Sequence, residues 1–247
     1  PVFIDSESTT WNICPIHLEA AIKDRIAQGT KPKAIIAVHL YGMPYQVEAI
    51  HKISETYGIP IIEDSAEALG STYKGTACGT FGKIGILSFN GNKIIATSGG
   101  GALVTNDAKV KERAIYLATQ ARDGAPHYQH STIGYNYRLS NICAGIGRGQ
   151  MEVLDDHIAL RREMHSFYKN MFSKSAGITV FEAPSTDYFS NHWLSCITLD
   201  AETVDFSTED IRNALAEDEI ESRPLWKPMH LQPVFKDAPY YGNKIAE

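Results

Sequence analysis

Asp64 and Lys93 stand in the settings most suggestive of chemistry. Asp64 follows the apolar run Ile59-Pro60-Ile61-Ile62 and belongs to Glu63-Asp64-Ser65-Ala66-Glu67, where a strand gives way to a loop. Carboxyl ends of parallel strands are where open α/β sheets place ligands; a strand-end Asp equally well caps the next turn. Lys93 lies in Asn90-Gly91-Asn92-Lys93, after a run ending in Ser88-Phe89 and before Thr97-Ser98-Gly99-Gly100-Gly101. Small residues on both sides let backbone approach a bulky ligand, and Ser88, Thr97 and Ser98 offer hydroxyls for a phosphate. Taken alone, a lysine in a turn is an ordinary solvent-facing residue. A positioned carboxylate supplies charge or a proton, and a lysine amine supplies a base or a Schiff-base nucleophile.

Other chemistries find less support. The phosphate-loop pattern GxxxxGK[ST] is absent, no GxGxxG opens a helix after the first strand, and Gly99-Gly100-Gly101 runs directly into a strand. Glu63, Asp64 and Glu67 have no histidine at ligand spacing, so no metal site is expected. Cys14, Cys78, Cys143 and Cys196 form no CxxC pair and are read as reduced, partly buried thiols. A net charge of -6 argues against a broad nucleic-acid-binding face. No apolar run approaches the roughly 20 residues that cross a bilayer, and a cytoplasmic protein without a membrane partner is expected.

The elements that must hold these residues read as strand–helix–strand units. Ile16 to Gln28 has Leu18, Ala21, Ile22 and Ile26 at helical spacing. Lys33 to His39 is a nearly continuous apolar run, suited to a strand covered on both faces. Gln46 to Tyr57 reads as a helix ending at Gly58, and Ile59 to Asp64 as the next strand. Strands follow at Ile84 to Phe89 and Gly101 to Thr105, then a helix from Asp107 to about Gln120. Arg122 to Arg138, rich in Gly, His, Tyr and Asn, reads as an ordered functional loop. Asn141 to about Ser173 is a long helical pattern breaking near Gly147 to Gly149, with Ile142, Ile146, Met151, Leu154, Ile158, Leu160, Phe167 and Phe172 on its apolar side. Trp193 to Leu199 reads as a strand, Ser207 to Ala216 as a helix, and Ile220 to Arg223 as a further strand. The expected class is α/β, with a mainly parallel sheet flanked by helices.

Three motifs in this order strongly resemble the DegT-type nucleotide-sugar aminotransferases: Ile62-Glu63-Asp64-Ser65-Ala66-Glu67-Ala68-Leu69-Gly70, Ser88-Phe89-Asn90-Gly91-Asn92-Lys93, and Gly134-Tyr135-Asn136-Tyr137-Arg138-Leu139-Ser140. Thr10-Trp11-Asn12, His39-Leu40-Tyr41-Gly42 and Ser222 to His230 extend the likeness over essentially the whole chain. The resemblance implies a fold type I pyridoxal 5'-phosphate (PLP) enzyme. Residues 1–150 would be part of its large cofactor domain, and 151–247 an interdomain helix and part of a small C-terminal α+β domain. Asp64 matches the acid at the pyridine nitrogen, Ala66 the small residue against the ring, Ser88 a phosphate ligand, Lys93 the Schiff-base lysine, and Asn136 an asparagine reaching the phosphate across a homodimer with shared active sites. Glu67 stands beside cofactor and sugar where many relatives carry Gln or His, which changes the local charge.

The implied reaction moves an amino group from L-glutamate to a nucleotide-linked keto sugar, with the pattern most like enzymes acting on UDP-linked 4-keto-6-deoxy-N-acetylhexosamines. Candidate substrate contacts are Glu67, His127, Tyr128, Arg223, Lys227 and His230, with Arg223 and Lys227 suited to a diphosphate; Trp226 is equally a core residue. A PLP-dependent sugar dehydratase is the alternative within this chemistry, but that branch carries His where this chain has Lys93. A noncatalytic structural or regulatory PLP-fold protein is the alternative outside it. Pro1 to Asp5 reads as a strand entered without a preceding element and Pro239 to Glu247 as a polar segment leading nowhere, as in a piece of a longer enzyme.

Overall fold

The computed structural model describes residues 1–247. After β1 (Phe3–Ile4), α1 (Pro15–Ala27) begins on a proline, whose missing N–H is no loss in a first helical turn, and buries Leu18, Ala21 and Ile22. β2 (Ile35–Val38), α2 (Val47–Tyr57) and β3 (Ile61–Asp64) form the expected strand–helix–strand unit, with the two strands parallel. Gly58 ends α2 in the left-handed region at φ 59°, the conformation that favours glycine at a helix end. Short β4 (Thr72–Tyr73) and β5 (Thr76–Ala77) precede β6 (Ile84–Ser88), which lies parallel to β3 with Asp64 opposite Ile86. β7 (Gly101–Val104) returns antiparallel to β6, giving the sheet order β2-β3-β6-β7.

Leu18 and Ile22 of α1, and Val47, Ile50 and Ile53 of α2, share one core with Ile35, Ala37 and Ile61 of the sheet. Both helices therefore lie on the same face. This corrects the expectation for Lys33 to His39: Ile35 and Ala37 are buried, but Ile36, facing away from those helices on an edge strand, is 63% exposed.

Asp107 caps α3 (Ala108–Ala118), its carboxylate accepting the Lys109 and Val110 N–H groups. The long helical pattern divides into α4 (Asn141–Glu152) and α5 (Leu154–Phe172) at Val153, beyond the glycines expected to break it. Asp155 and Asp156 suit the positive end of a helix restarting there. Of its expected apolar side, Leu154 and Ile158 are buried, whereas Ile142, Ile146, Met151, Leu160 and Phe167 are exposed.

β8 (Ile178–Val180), β9 (Tyr188–Phe189), β10 (Ile197–Leu199) and α6 (Thr208–Glu217) follow. β9 pairs with β4, and β10 with β8, both antiparallel. Only the last three residues of the strand expected at Trp193 to Leu199 form one, because Trp193 is held in a buried turn. The strand expected at Ile220 to Arg223 does not form; Ile220 N–H instead closes α6 onto Leu215 O. β11 (Tyr240–Tyr241) pairs in parallel with β1, so the segment expected to lead nowhere is stitched to the first strand. No helix is long and apolar enough to cross a membrane. The architecture is α/β, a mainly parallel sheet flanked by helices, with a small C-terminal α+β region.

Candidate active site

Strand alternation turns Glu63 and Asp64 to opposite faces of β3. Glu63 is fully buried; its Oε2 meets His39 Nε2 at 2.9 Å and accepts the Gly79 N–H at 2.9 Å. Burial by itself would push its carboxyl up, but the His39 hydrogen bond, the Gly82 and Gly79 N–H groups and the His39 charge outweigh it and hold the group below the usual range. This pairing ties His39, the residue that follows β2, to β3. The Asp64 carbonyl accepts the His39 N–H at 3.0 Å, and Oδ1 accepts the Ala66 N–H at 3.2 Å, leaving Oδ2 without a partner in the chain.

Lys93 is fixed by the loop after β6. Its N–H bonds Asn90 O at 3.0 Å, Thr97 N–H bonds Phe89 O at 2.8 Å, and the next two residues, Ile94 and Ile95, plug the core. The amine stands 3.3 Å from Glu67 Oε1 and 4.1 Å from the centroid of the Trp193 ring. Glu67 is itself held, Oε2 accepting the Tyr41 N–H at 2.7 Å. Burial raises its carboxyl above the usual range, against the opposing pull of that N–H and of Lys93; the Asp64 charge adds to the rise. An acid, an amine and a second, buried acid thus share the carboxyl end of the sheet.

Ala66 is half-buried in the loop between Asp64 and Glu67. Ser88 ends β6, its Oγ accepting only the Asn90 N–H at 3.4 Å. Asn136 is exposed, bridged to Thr119 through its backbone, and makes no side-chain hydrogen bond. The Arg122 to Arg138 loop is knitted by Asp123, which accepts from Ser131, Gln129 and Tyr116, so its carboxyl is held low. Within it His127 bonds Gln129 and the Arg122 guanidinium lies 4.2 Å from the Tyr128 ring centroid, and no contact joins either candidate to Lys93. Arg223 is exposed and paired with Glu221, Lys227 is exposed, and His230 is stacked on Tyr240 and bonded to Glu247. Their segment still reaches the site. Trp226 N–H donates to the Tyr41 hydroxyl at 3.1 Å, and its ring lies 6.1 Å from that of Trp193.

Three side chains of this arrangement lie outside the sequence-based site: Tyr41, Trp193 and Asn191, whose amide donates to the Glu67 carbonyl at 2.8 Å. Tyr41 falls within a motif already noted, but Trp193 has the apolar surroundings of a strand residue, and nothing local distinguishes Asn191.

The donor set fits PLP. Asp64 offers a free carboxylate oxygen for a protonated ring nitrogen, Ala66 a small face, Lys93 an amine for the aldehyde, and Ser88 a hydroxyl with spare capacity for phosphate. Gly91 and Gly99 are open enough to let a ligand approach backbone, since a Cβ at either would meet nothing within 4 Å.

The whole chain, residues 1–247, matches the DegT/DnrJ/EryC1/StrS aminotransferase family. It is 52% identical to the putative pyridoxal phosphate-dependent aminotransferase EpsN of Bacillus subtilis, over 99% of this chain and 62% of that protein. It is 40% identical to the GDP-perosamine synthase of Escherichia coli O157:H7, over 100% of this chain and 64% of that protein. A crystal structure of a DegT DnrJ EryC1 StrS aminotransferase from Brucella abortus superposes with a TM-score of 0.88 at 29% identity, over 98% of this chain and 63% of that one. The chain therefore spans somewhat less than two thirds of the length of these relatives. The fold is that of the fold type I PLP transferases. With that fold, and a match running from its first residue to its last, the chain belongs to the DegT/DnrJ/EryC1/StrS aminotransferase family.

Proposed function

We propose that the protein to which this chain belongs is a PLP-dependent aminotransferase that moves an amino group from L-glutamate to a nucleotide-linked keto sugar, a UDP-4-keto-6-deoxy-N-acetylhexosamine in the most specific form. The observation that carries this reading is the Lys93 amine, 3.3 Å from Glu67 and 4.1 Å from the Trp193 ring centroid at the carboxyl end of the sheet that presents Asp64. PLP, when bound, supplies an electron sink for the pair left as the donor's Cα–H bond breaks. Asp64 would keep a proton at the pyridine nitrogen, Ala66 would pack against the ring, and Ser88 would bond the phosphate. Lys93 Nζ would anchor the cofactor, and as a free amine it would be the base for the donor's Cα proton. Glu67, one residue beyond Ala66, faces the same amine and would contact the sugar.

His127, Tyr128, Arg223, Lys227 and His230 serve the sugar nucleotide, the last three lying in the segment whose Trp226 N–H bonds the Tyr41 hydroxyl. Asn136, exposed and without a side-chain hydrogen bond, serves the site of a second copy in a homodimer. Relatives divide over the nucleotide: one is named GDP-perosamine synthase, and another, 36% identical over 72% of this chain, UDP-2-acetamido-2-deoxy-3-oxo-D-glucuronate aminotransferase. The test is to load the full-length protein with PLP, reduce with borohydride and locate the added mass. A separate, unreduced portion of the PLP-loaded protein is given glutamate and a panel of UDP-, GDP- and dTDP-linked 3-keto and 4-keto sugars, with 2-oxoglutarate as readout. Mass at Lys93 and sugar-dependent 2-oxoglutarate are expected; mass on another lysine, or sugar consumed without 2-oxoglutarate, overturns the proposal.

A further inference from the structure

Asn191 is fully buried between two loops that meet at Lys93. Its Nδ2 donates both hydrogens, to Glu67 O at 2.8 Å and to Leu69 O at 2.9 Å. Its Oδ1 accepts the Trp193 N–H at 2.9 Å. Its own N–H donates to Ser71 Oγ at 2.9 Å, and that hydroxyl donates to Gly42 O at 2.7 Å. Gly42 cannot carry a side chain here: a Cβ would stand 2.0 Å from Asn191 Oδ1, and φ is +87°.

Two of these partners, Glu67 and Trp193, are the groups that contact the amine. Glu67, whose carbonyl Asn191 holds, presents Oε1 to Nζ; Trp193, whose N–H Asn191 holds, presents its ring to Nζ and ties its Nε1–H to Asn92 O at 2.8 Å, next to Lys93 itself. Arg162 bonds Ser190 O, and His165 stacks on His192 at 3.6 Å, so the turn carrying Asn191 is secured on both flanks. The chemistry selects an amide. Two donors and an acceptor are needed at one buried point, and a carboxylate there would set an oxygen against two carbonyl oxygens.

We propose that Asn191 is a positioning residue for Lys93, joining the Glu67 loop to the Trp193 turn so that carboxylate and indole together hold the amine. The inference rests on Lys93 being the reactive amine and adds the residue that orients it. In the protein without cofactor, trace acetic anhydride competes Lys93 against exposed Lys31, with mass spectrometry as readout. Asn191→Ala and Asn191→Asp are expected to raise the Lys93 rate about fivefold, as Glu67→Gln does directly. They also speed water exchange of the Trp193 indole N–H. Asp5→Ala, an equally buried hydrogen-bonding residue touching none of these groups, is expected to leave both unchanged.

A merely structural role would lower thermal stability without moving the Lys93 rate. Rates within twofold of wild type in folded Asn191 variants, or a wild-type-like Asn191→Asp, overturn the proposal. If both variants fail to fold, Ser71→Ala, which removes the oxygen holding the Asn191 N–H, carries the test, with a rise of about threefold expected and no rise overturning it. Borohydride-fixed PLP on a lysine other than Lys93 would sink the proposed function, whatever the acylation rates; normal Lys93 labelling with unaltered acylation sinks only the role of Asn191.

Discussion

Lys93 and Glu67 define each other at the residue scale. The amine is mostly buried, with 12% of its side chain exposed, and the carboxylate beside it already sits above its ordinary range because burial disfavours its charge. Lys93→Ala is expected to abolish amino transfer, measured as 2-oxoglutarate formation, and to push the Glu67 carboxyl higher still by removing an opposing charge. Near-normal turnover in a PLP-loaded protein would exclude the Schiff-base role. Asp64→Ala is expected to slow both half-reactions about a hundredfold or more, since the ring nitrogen loses the carboxylate that keeps its proton. Unchanged half-reaction rates with PLP bound would detach Asp64 from that nitrogen.

At the scale of elements, two histidine contacts lock strands and helices around the site. His39 and Glu63 join β2 to β3 with neither side chain exposed. Glu63 accepts from His39, Gly79 and Gly82, and an amide there turns one acceptor into a donor, so Glu63→Gln is expected to cost about 2 kcal/mol in chemical denaturation near neutral pH. The folded carboxyl lies below its ordinary 4.5, so this contribution is present above about pH 4.5 and is lost as the pH falls through the lower folded value. The stability gap between wild type and variant should therefore close on acidification; a constant gap would show that the charge of Glu63 is not what matters.

His165 of α5 and His192 make the second contact, stacked at 3.6 Å. Burial, then the neighbouring His165 and Arg162, push His192 down to about 3. The unfolded chain takes up a proton that the folded chain refuses, so stability falls as the pH drops from about 6.5 toward 3. His192→Phe keeps a stackable ring without the proton. Its thermal midpoint should depend less on pH in that window; an equally steep profile would shift the effect to other groups.

Across the whole molecule, Asp5 joins residues more than two hundred positions apart. Its carboxylate accepts the N–H groups of Asn243, Ile245 and Ala246, while β1 pairs with β11. Burial opposes the charge, yet these N–H groups hold the carboxyl low. Asp5→Ala is expected to cost about 1 kcal/mol by removing the charged acceptor of three part-buried N–H groups. Hydrogen exchange should then accelerate across residues 239–247 while Glu63 and its strand stay protected; uniform acceleration would mean that the two ends fold inseparably from the sheet.

Local pattern was enough for the sheet: α1, α2 and the strands ending at Asp64 and Ser88 follow from spacing and from Gly58, and the motifs around Asp64 and Lys93 place an acid and an amine on it. Those features depend on neighbours a few residues away, where side-chain periodicity and backbone preference act directly. Trp193 reads as a strand residue and Asn191 carries no local signal until the fold sets them beside Lys93 and Glu67, at separations of 100 and 124 residues. The same holds for the exposure of Ile36 and for the pairing of Phe3 with Tyr240. Which face a helix covers and which loop meets which are settled by packing between distant segments, and no short-range pattern records that.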